Sequence, residues 1–116
     1  MTREQRAQQL WSILALAATH RQMLTYSIVE SITGLHRAGI GDSLRPVQQY
    51  CTDQQLPPLT CLVVSQDSGL PGDGCLTSPA DLPSALLRVF GHSWLGTRAP
   101  TEQQLVDAYS HAPNAR

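Results

Sequence analysis

The chain has 116 residues, of which 41% are hydrophobic and 15% are charged, and its formal net charge is −1. The length predicts a single domain (1–116) that buries roughly 60–70% of its unfolded surface. No apolar run approaches the roughly 18 residues of a membrane span, so we expect no membrane association.

The first predicted helix covers about residues 3–18. Thr2 and Gln5 have the spacing of a capping box, and apolar residues follow at helical intervals, namely Leu10, Ile13, Leu14 and Ala17. The stretch ends without a secretory cleavage pattern, so we interpret it as a helix and not as a signal peptide.

A helix-turn-helix is predicted over about residues 25–54. Thr25 is an N-cap candidate and Gly34 suits a left-handed helix stop, which predicts a helix over about 26–33. The next helix begins near His36 or Arg37. Pro46 either kinks this helix or starts a separate one over 46–54, because proline cannot sit comfortably in an unbroken helix.

A strand and a loop are predicted over about residues 59–76. Leu59–Ser65 is rich in Leu and Val, Gln66–Gly69 has turn composition, and Pro71 weakens any returning strand over 70–76. Two helices follow within about 81–110, one with Pro83 in its first turn and one opened by Thr101 with a capping-box spacing.

This order predicts an α+β, helix-rich fold: a winged helix-turn-helix with a short hairpin or small sheet and an extra C-terminal helix. The loop 66–73 would be the wing. Such a fold favours duplex DNA as the partner, with the helix at about 37–45 presented to it.

The three cysteines, Cys51, Cys61 and Cys75, are predicted to be reduced thiols in the cytoplasm, because their number is odd and no secretory segment is apparent. No CxxC or CxxH pair occurs, and the other candidate ligands lack metal-site spacing. We therefore expect neither a metal nor another cofactor.

The segment 25–74 resembles the C-terminal winged-helix domain of alkylguanine-DNA alkyltransferases and alkyltransferase-like proteins. The residues that carry the resemblance are Tyr26, Gly34, Arg37–Leu44, Leu59–Val64 and Ser68–Gly72. It implies that Arg37 fills the gap left by a flipped base and that Tyr26 takes part in the same site; alternatively, Arg37 contacts phosphate and Tyr26 packs in the core.

The resemblance also implies an alkyl-accepting cysteine at Cys61. In the family the next residue is an activating His, but Leu62 stands here, and an apolar strand raises the pKa of a thiol. We therefore predict a protein that is not an enzyme, with Cys61 in the core.

The predicted nucleic-acid contacts come from Arg37 and Arg45, which would reach phosphate or base edges, and from Ser43 and His36, which would add hydrogen bonds. Arg21 and Thr25 would hold the DNA backbone, and the resemblance adds Tyr26 to the nucleic-acid-binding set Arg21, Thr25, Tyr26, His36, Arg37, Ser43 and Arg45. Residues 1–50 carry a balance of +2, and residues 51–116 carry −3.

The alternative is a protein-interaction module or small inhibitor that uses the same scaffold to bind a protein partner. The slightly acidic net charge favours this alternative, because phosphate contacts supply most non-specific affinity for DNA. Either function is compatible with a monomer or a homodimer.

Overall fold

The computed structural model describes residues 1–72 and 75–110. Within these ranges the helices are α1 (Arg3–Thr19), α2 (Tyr26–Thr33), α3 (Arg37–Asp53), α4 (Leu82–Gly91) and α5 (Glu102–Ser110). A 3₁₀ helix (Leu59–Leu62) and two short strands, β1 (Leu24–Thr25) and β2 (Val63–Val64), complete the order.

The first helix begins and ends where its sequence predicts. The Thr2 hydroxyl accepts a hydrogen bond from the Gln5 amide at 3.1 Å, and the Thr2 amide donates to the Gln5 side chain at 2.9 Å. This capping box satisfies two of the free N–H groups of the first turn. One face of α1 then runs through the core, with fully or nearly fully buried side chains at Ala7, Leu10, Trp11, Leu14 and Ala18.

The two helices predicted within 25–54 are present as α2 and α3, and α2 has the predicted boundaries. The Thr25 hydroxyl accepts from the Ile28 amide at 3.2 Å, and Gly34 ends α2 in the left-handed region with φ 76°. Only three residues separate α2 from α3, whose N-cap is His36. The two helices are therefore held close to each other by a short turn.

Pro46 does not split the second helix of this pair. α3 continues without interruption from Arg37 to Asp53, with Pro46 buried inside it. Proline inside a helix costs about 3 kcal/mol, since it removes a hydrogen bond and crowds the preceding turn. The buried side chains of Leu44, Val47 and Cys51 on both sides of Pro46 supply the packing that outweighs this penalty.

The predicted strand Leu59–Ser65 is wrong in its first half. Leu59–Leu62 forms the 3₁₀ helix, and only Val63–Val64 is extended, pairing in parallel with Leu24–Thr25. All residues from 59 to 64 are buried, and a continuous apolar run does not distinguish a strand from another buried segment.

The residues after β2 form a tight loop, which we call the 65–72 loop. The Ser65 amide donates to the Leu70 carbonyl at 2.9 Å, and Gly69 lies in the left-handed region with φ 69°. The weak returning strand predicted over 70–76 is reduced, in the described part, to one antiparallel bridge between Val64 and Pro71.

The two C-terminal helices are present, and α5 packs against α1 and α3. The Thr101 hydroxyl accepts from the Gln104 amide at 3.1 Å, which confirms the second predicted capping box. The Arg3 guanidinium lies over the Tyr109 ring at 3.8 Å and ties the first turn of α1 to α5. The described chain is thus helix-rich, with a small two-stranded parallel sheet, which is compatible with the α+β class.

The prediction of reduced thiols is wrong for two of the three cysteines. Cys61 and Cys75 form a disulfide with their Cα atoms 5.2 Å apart, while Cys51 is a buried free thiol. The chain reversal at the 65–72 loop brings the pair together, and cysteine spacing alone does not reveal such a contact. The expected cytoplasmic location was based on reduced thiols, and the disulfide removes that basis. In the described ranges, no helix is long and apolar enough to cross a membrane.

Candidate nucleic-acid interface

A cleft of about 540 Å³ lies where α2 and α3 meet the 65–72 loop. Its lining comes from three elements in sequence: the first residue of α2, the exposed face of α3 and the end of the loop. The lining residues are Tyr26, Arg37, Ala38, Gly41, Asp42, Arg45 and Gly72.

Tyr26 and Arg37 form one wall of the cleft. The Arg37 guanidinium carbon lies 4.3 Å from the centroid of the Tyr26 ring. Tyr26 is only 5% exposed, whereas Arg37 is exposed, so the ring is a buried support under an accessible cation. A cation–π contact of this kind stabilises by about 0.5–1 kcal/mol at an exposed site and fixes the direction of the guanidinium.

Gly72 forms the part of the lining that the loop contributes, and it lies directly against the Tyr26 hydroxyl. A Cβ placed on Gly72 would overlap the Tyr26 Oη atom. The approach of loop to ring therefore requires a residue without a side chain. The Val64–Pro71 bridge immediately before Gly72 holds the loop at this position.

The remaining lining belongs to one face of α3. Ala38, Gly41, Asp42 and Arg45 recur at the three- and four-residue intervals of a helical stripe, beginning from Arg37. A Cβ on Gly41 would meet nothing within 4 Å, so this part of the helix surface is open. Small residues between two arginines let a large partner approach the helix backbone.

The two arginines of the cleft carry its accessible positive charge. Both are exposed, and no carboxylate of residues 1–72 or 75–110 forms an ion pair with either of them. Asp42, whose side chain is 51% exposed, points partly elsewhere: its Oδ1 lies 3.8 Å from Nη1 of Arg3 on α1. The cleft therefore offers two available guanidinium groups beside one partly engaged carboxylate.

Three other predicted contacts lie at the edges of these elements. Arg21 is exposed in the turn after α1, with φ 55°, but is not among the residues that line the cleft. His36 is exposed at the N-cap of α3 and makes no side-chain cap hydrogen bond. Thr25 is half-buried, and its hydroxyl is used in capping α2.

The structure places Ser43 in the interior, contrary to its predicted place at the interface. It is 4% exposed, on the side of α3 that carries Ile40 and Leu44. A side chain so buried has no route to an external partner, and we remove it from the interface.

Ala38, Gly41, Asp42 and Gly72 line the cleft but were not predicted as contact residues. A signal for the three residues of α3 was available, because Gly41 lies four positions from both Arg37 and Arg45, and Ala38 and Asp42 flank it on the same face. Gly72 had no such signal, since its position depends on a contact with Tyr26, which is distant in the sequence.

The described residues contain no group of three or more His, Cys, Asp or Glu side chains that could hold a metal ion. The sulfur of Cys61 is bonded to Cys75, so in this state it carries no thiol for alkyl transfer. Burial raises the pKa of the Cys51 thiol to about 12, although a hydrogen bond with the Leu59 backbone opposes the shift. A thiol in such surroundings is a poor nucleophile.

Comparisons of the chain with protein-family models, with curated proteins and with solved structures find no match. The resemblance to alkyltransferase-like domains therefore stays a prediction, and the function is argued from the cleft.

Proposed function

We propose that this chain is a non-catalytic winged-helix DNA-binding protein that presents α3 to duplex DNA. The observation that carries the proposal is the pair Arg37 and Arg45, both exposed beside one cleft and both without a carboxylate partner in the described chain. Arginine offers a fork of N–H donors that matches phosphate oxygens and guanine edges.

The spacing of the arginines suits a groove. Arg45 follows Arg37 by eight positions, which at about 1.5 Å per residue places their Cα atoms about 12 Å apart along the helix. A recognition helix lies in the major groove, so the two arginines would reach phosphates or base edges at separate points along it. The small residues Ala38 and Gly41 between them leave room for the base edges.

The 65–72 loop supports the winged arrangement. It follows β2, lies beside α3 through Gly72, and begins with exposed polar residues at Gln66, Asp67 and Ser68. In this proposal the loop lies against the DNA backbone next to the groove that α3 enters. Asp67 opposes phosphate contact, so the loop would act through its backbone N–H groups and Ser68.

The net charge of the chain determines how strong the binding to DNA is expected to be. With a net charge of −1, long-range attraction to DNA is weak, and binding must come from contacts within the cleft. We therefore expect weak affinity that depends strongly on Arg37 and Arg45. A titration of a fluorescently labelled duplex by anisotropy at low salt tests the proposal, and a flat titration would reject it.

A second candidate is binding to a protein, as an interaction module or small inhibitor. The observation that favours it is the group of leucines left exposed in the acidic half: Leu76 at 65%, Leu87 at 69% and Leu95 at 81%. Aspartate substitutions at Leu87 and Leu95 would release a protein partner bound there, whereas Arg37→Ala would not. DNA binding gives the opposite pattern, and a pull-down with both sets of variants separates the two functions.

A further inference from the structure

The Cys61–Cys75 disulfide lies next to the loop that lines the cleft. Cys61 is fully buried in the 3₁₀ helix, and Cys75 is half-buried three residues after Gly72. The bond closes a segment with a sequence separation of 14 that contains β2 and the whole 65–72 loop. The Thr77 hydroxyl also lies 3.4 Å from the Cys61 sulfur.

The two halves of this segment are held in different ways. Before Gly72, the Ser65–Leu70 hydrogen bond and the Val64–Pro71 bridge fix the loop to β2. After Gly72, the described anchors are a hydrogen bond from the Cys75 amide to the Gly72 carbonyl at 3.2 Å and the disulfide itself. The first of these links the segment to itself, so among the described residues the covalent tie to the core is the disulfide, with the Thr77 hydroxyl lying beside the Cys61 sulfur.

We propose that the Cys61–Cys75 disulfide is a redox modification site that controls the cleft. The oxidised form holds Gly72 on the Tyr26 hydroxyl and so completes the surface on which Arg37 lies. The reduced form loosens this contact while the helices remain in place. The inference rests on the proposed DNA-binding function, and its co-reactant is a small dithiol or a protein dithiol reductant.

The accessibility of the two sulfurs sets the order of the exchange. A thiolate of the reductant attacks the Cys75 sulfur, since Cys75 is half-buried and Cys61 is inaccessible. The S–S bond breaks, a mixed disulfide forms at Cys75, and Cys61 leaves as a thiolate that takes a proton from water. The second thiolate of the reductant then attacks the mixed disulfide and releases Cys75, which is protonated in turn. Two electrons pass to the protein, and the reductant becomes its own disulfide.

Reduction changes the cleft through one contact. Without the bond, the described anchors next to Gly72 are those on its N-terminal side, the Ser65–Leu70 hydrogen bond and the Val64–Pro71 bridge. The contact of Gly72 with Tyr26 is then held from one side and loosens. We expect weaker binding of duplex DNA in the reduced form, by about three- to tenfold, since one of three lining elements is no longer fixed.

The test compares oxidised protein, protein reduced with dithiothreitol, and the double variant Cys61→Ser/Cys75→Ser. The first readout is amide hydrogen exchange, which does not depend on DNA. We expect exchange in residues 66–72 to rise at least about tenfold on reduction, with the amides of α1 unchanged. Equal exchange in both forms would overturn the proposal, because the bond would then have no effect on the loop. A rise that extends through α1 would also overturn it, because the bond would then stabilise the whole fold.

The second readout is anisotropy with a labelled duplex. Reduced protein and the double variant should bind equally and more weakly than oxidised protein, and reoxidation should restore affinity only in the native chain. Cys51→Ala, which removes the third thiol, should still respond to reduction. A loop that loosens without a change in affinity overturns the redox control. If the oxidised protein does not bind duplex at all, the DNA-binding function fails, and the exchange data report separately whether the bond controls the loop.

Discussion

The Arg37 guanidinium lies 4.3 Å from the centre of the Tyr26 ring, and these two residues are the first residues of consecutive helices. The eight-residue helix α2 and the three-residue turn after it therefore set the position of the Arg37 guanidinium relative to the Tyr26 ring. Because Tyr26 is buried and also touches Gly72, the position of Arg37 is linked to that of the loop. The candidate interface behaves as one unit built from three chain segments.

Arg37→Ala should weaken binding to duplex DNA by about three- to tenfold and lower the slope of log K against log salt by about 1, since one phosphate contact is lost. The matched control is Arg88→Ala, which removes an exposed arginine from α4, away from the cleft. Anisotropy titrations over a salt series measure both variants. Equal losses of affinity in the two variants would mean that net charge alone determines binding and that Arg37 makes no specific contact with DNA.

Gly72→Ala should destabilise the fold by about 1–3 kcal/mol, because the added Cβ overlaps the Tyr26 hydroxyl and the loop or ring must move. Gly91→Ala is the matched control: its Cβ would meet nothing within 4 Å, and the change should be within about 0.5 kcal/mol. Urea unfolding gives both values. A Gly72→Ala protein as stable as the native chain would show that the close contact is absent in solution.

Substitutions at the N-caps of α2 and α3 should change stability in opposite directions. Thr25→Ala should lower stability by about 1 kcal/mol, since the Ile28 amide loses its acceptor. His36→Ser should raise stability by about 0.5–1 kcal/mol, because His36 occupies an N-cap position with extended backbone and gives no side-chain cap. Thermal and urea unfolding of the two variants check the signs, and a loss of stability in His36→Ser would contradict the cap assignment.

The buried Cys51 thiol should make the stability of the fold decrease at alkaline pH. Its pKa is raised by burial to about 12 from an ordinary value of 9.0. Above about pH 9 the unfolded thiol ionises while the folded one stays protonated, so its contribution to stability is complete below pH 9 and is lost as the pH rises towards 12. The difference in unfolding free energy between native protein and Cys51→Ala, followed from pH 8 to pH 11, should decrease. A constant difference would contradict a raised pKa.

The same burial makes Cys51 unreactive. A thiol reagent at about pH 8 should leave the oxidised native protein unlabelled, because thiolate is the reacting species and the side chain is inaccessible. In denaturant, one equivalent should react per chain, since the other two cysteines are bonded to each other. More than one equivalent without reductant would contradict the Cys61–Cys75 pairing.

The parts of the fold that local chemistry determines could be predicted from the sequence. Thr2, Thr25 and Thr101 marked helix starts because a hydroxyl that accepts an N–H bond acts within three residues, and Gly34 marked a stop because its φ is positive. The continuity of α3 through Pro46 could not be predicted, because packing of neighbouring turns overcame a local penalty.

In the candidate site, too, some features follow from local sequence and others do not. The exposure of Arg37 and Arg45 follows from helical phase, and the same phase, counted from Ile40 and Leu44, would have placed Ser43 on the buried side. The contact of Gly72 with Tyr26 and the bond from Cys61 to Cys75 join residues that are far apart in the sequence or separated by a chain reversal. Neither has a local signal, and the 3₁₀ helix at Leu59–Leu62 lies in a buried, mainly apolar segment whose sequence also suits a strand.

The central claim is that Arg37 and Arg45 place α3 on duplex DNA, and its most direct measurement is the salt dependence of duplex binding by the oxidised native chain. Two phosphate contacts predict a slope of log K against log salt of about −2, which the double variant Arg37→Ala/Arg45→Ala should reduce to near zero. Binding that is absent at low salt, or that persists unchanged in the double variant, would contradict the claim.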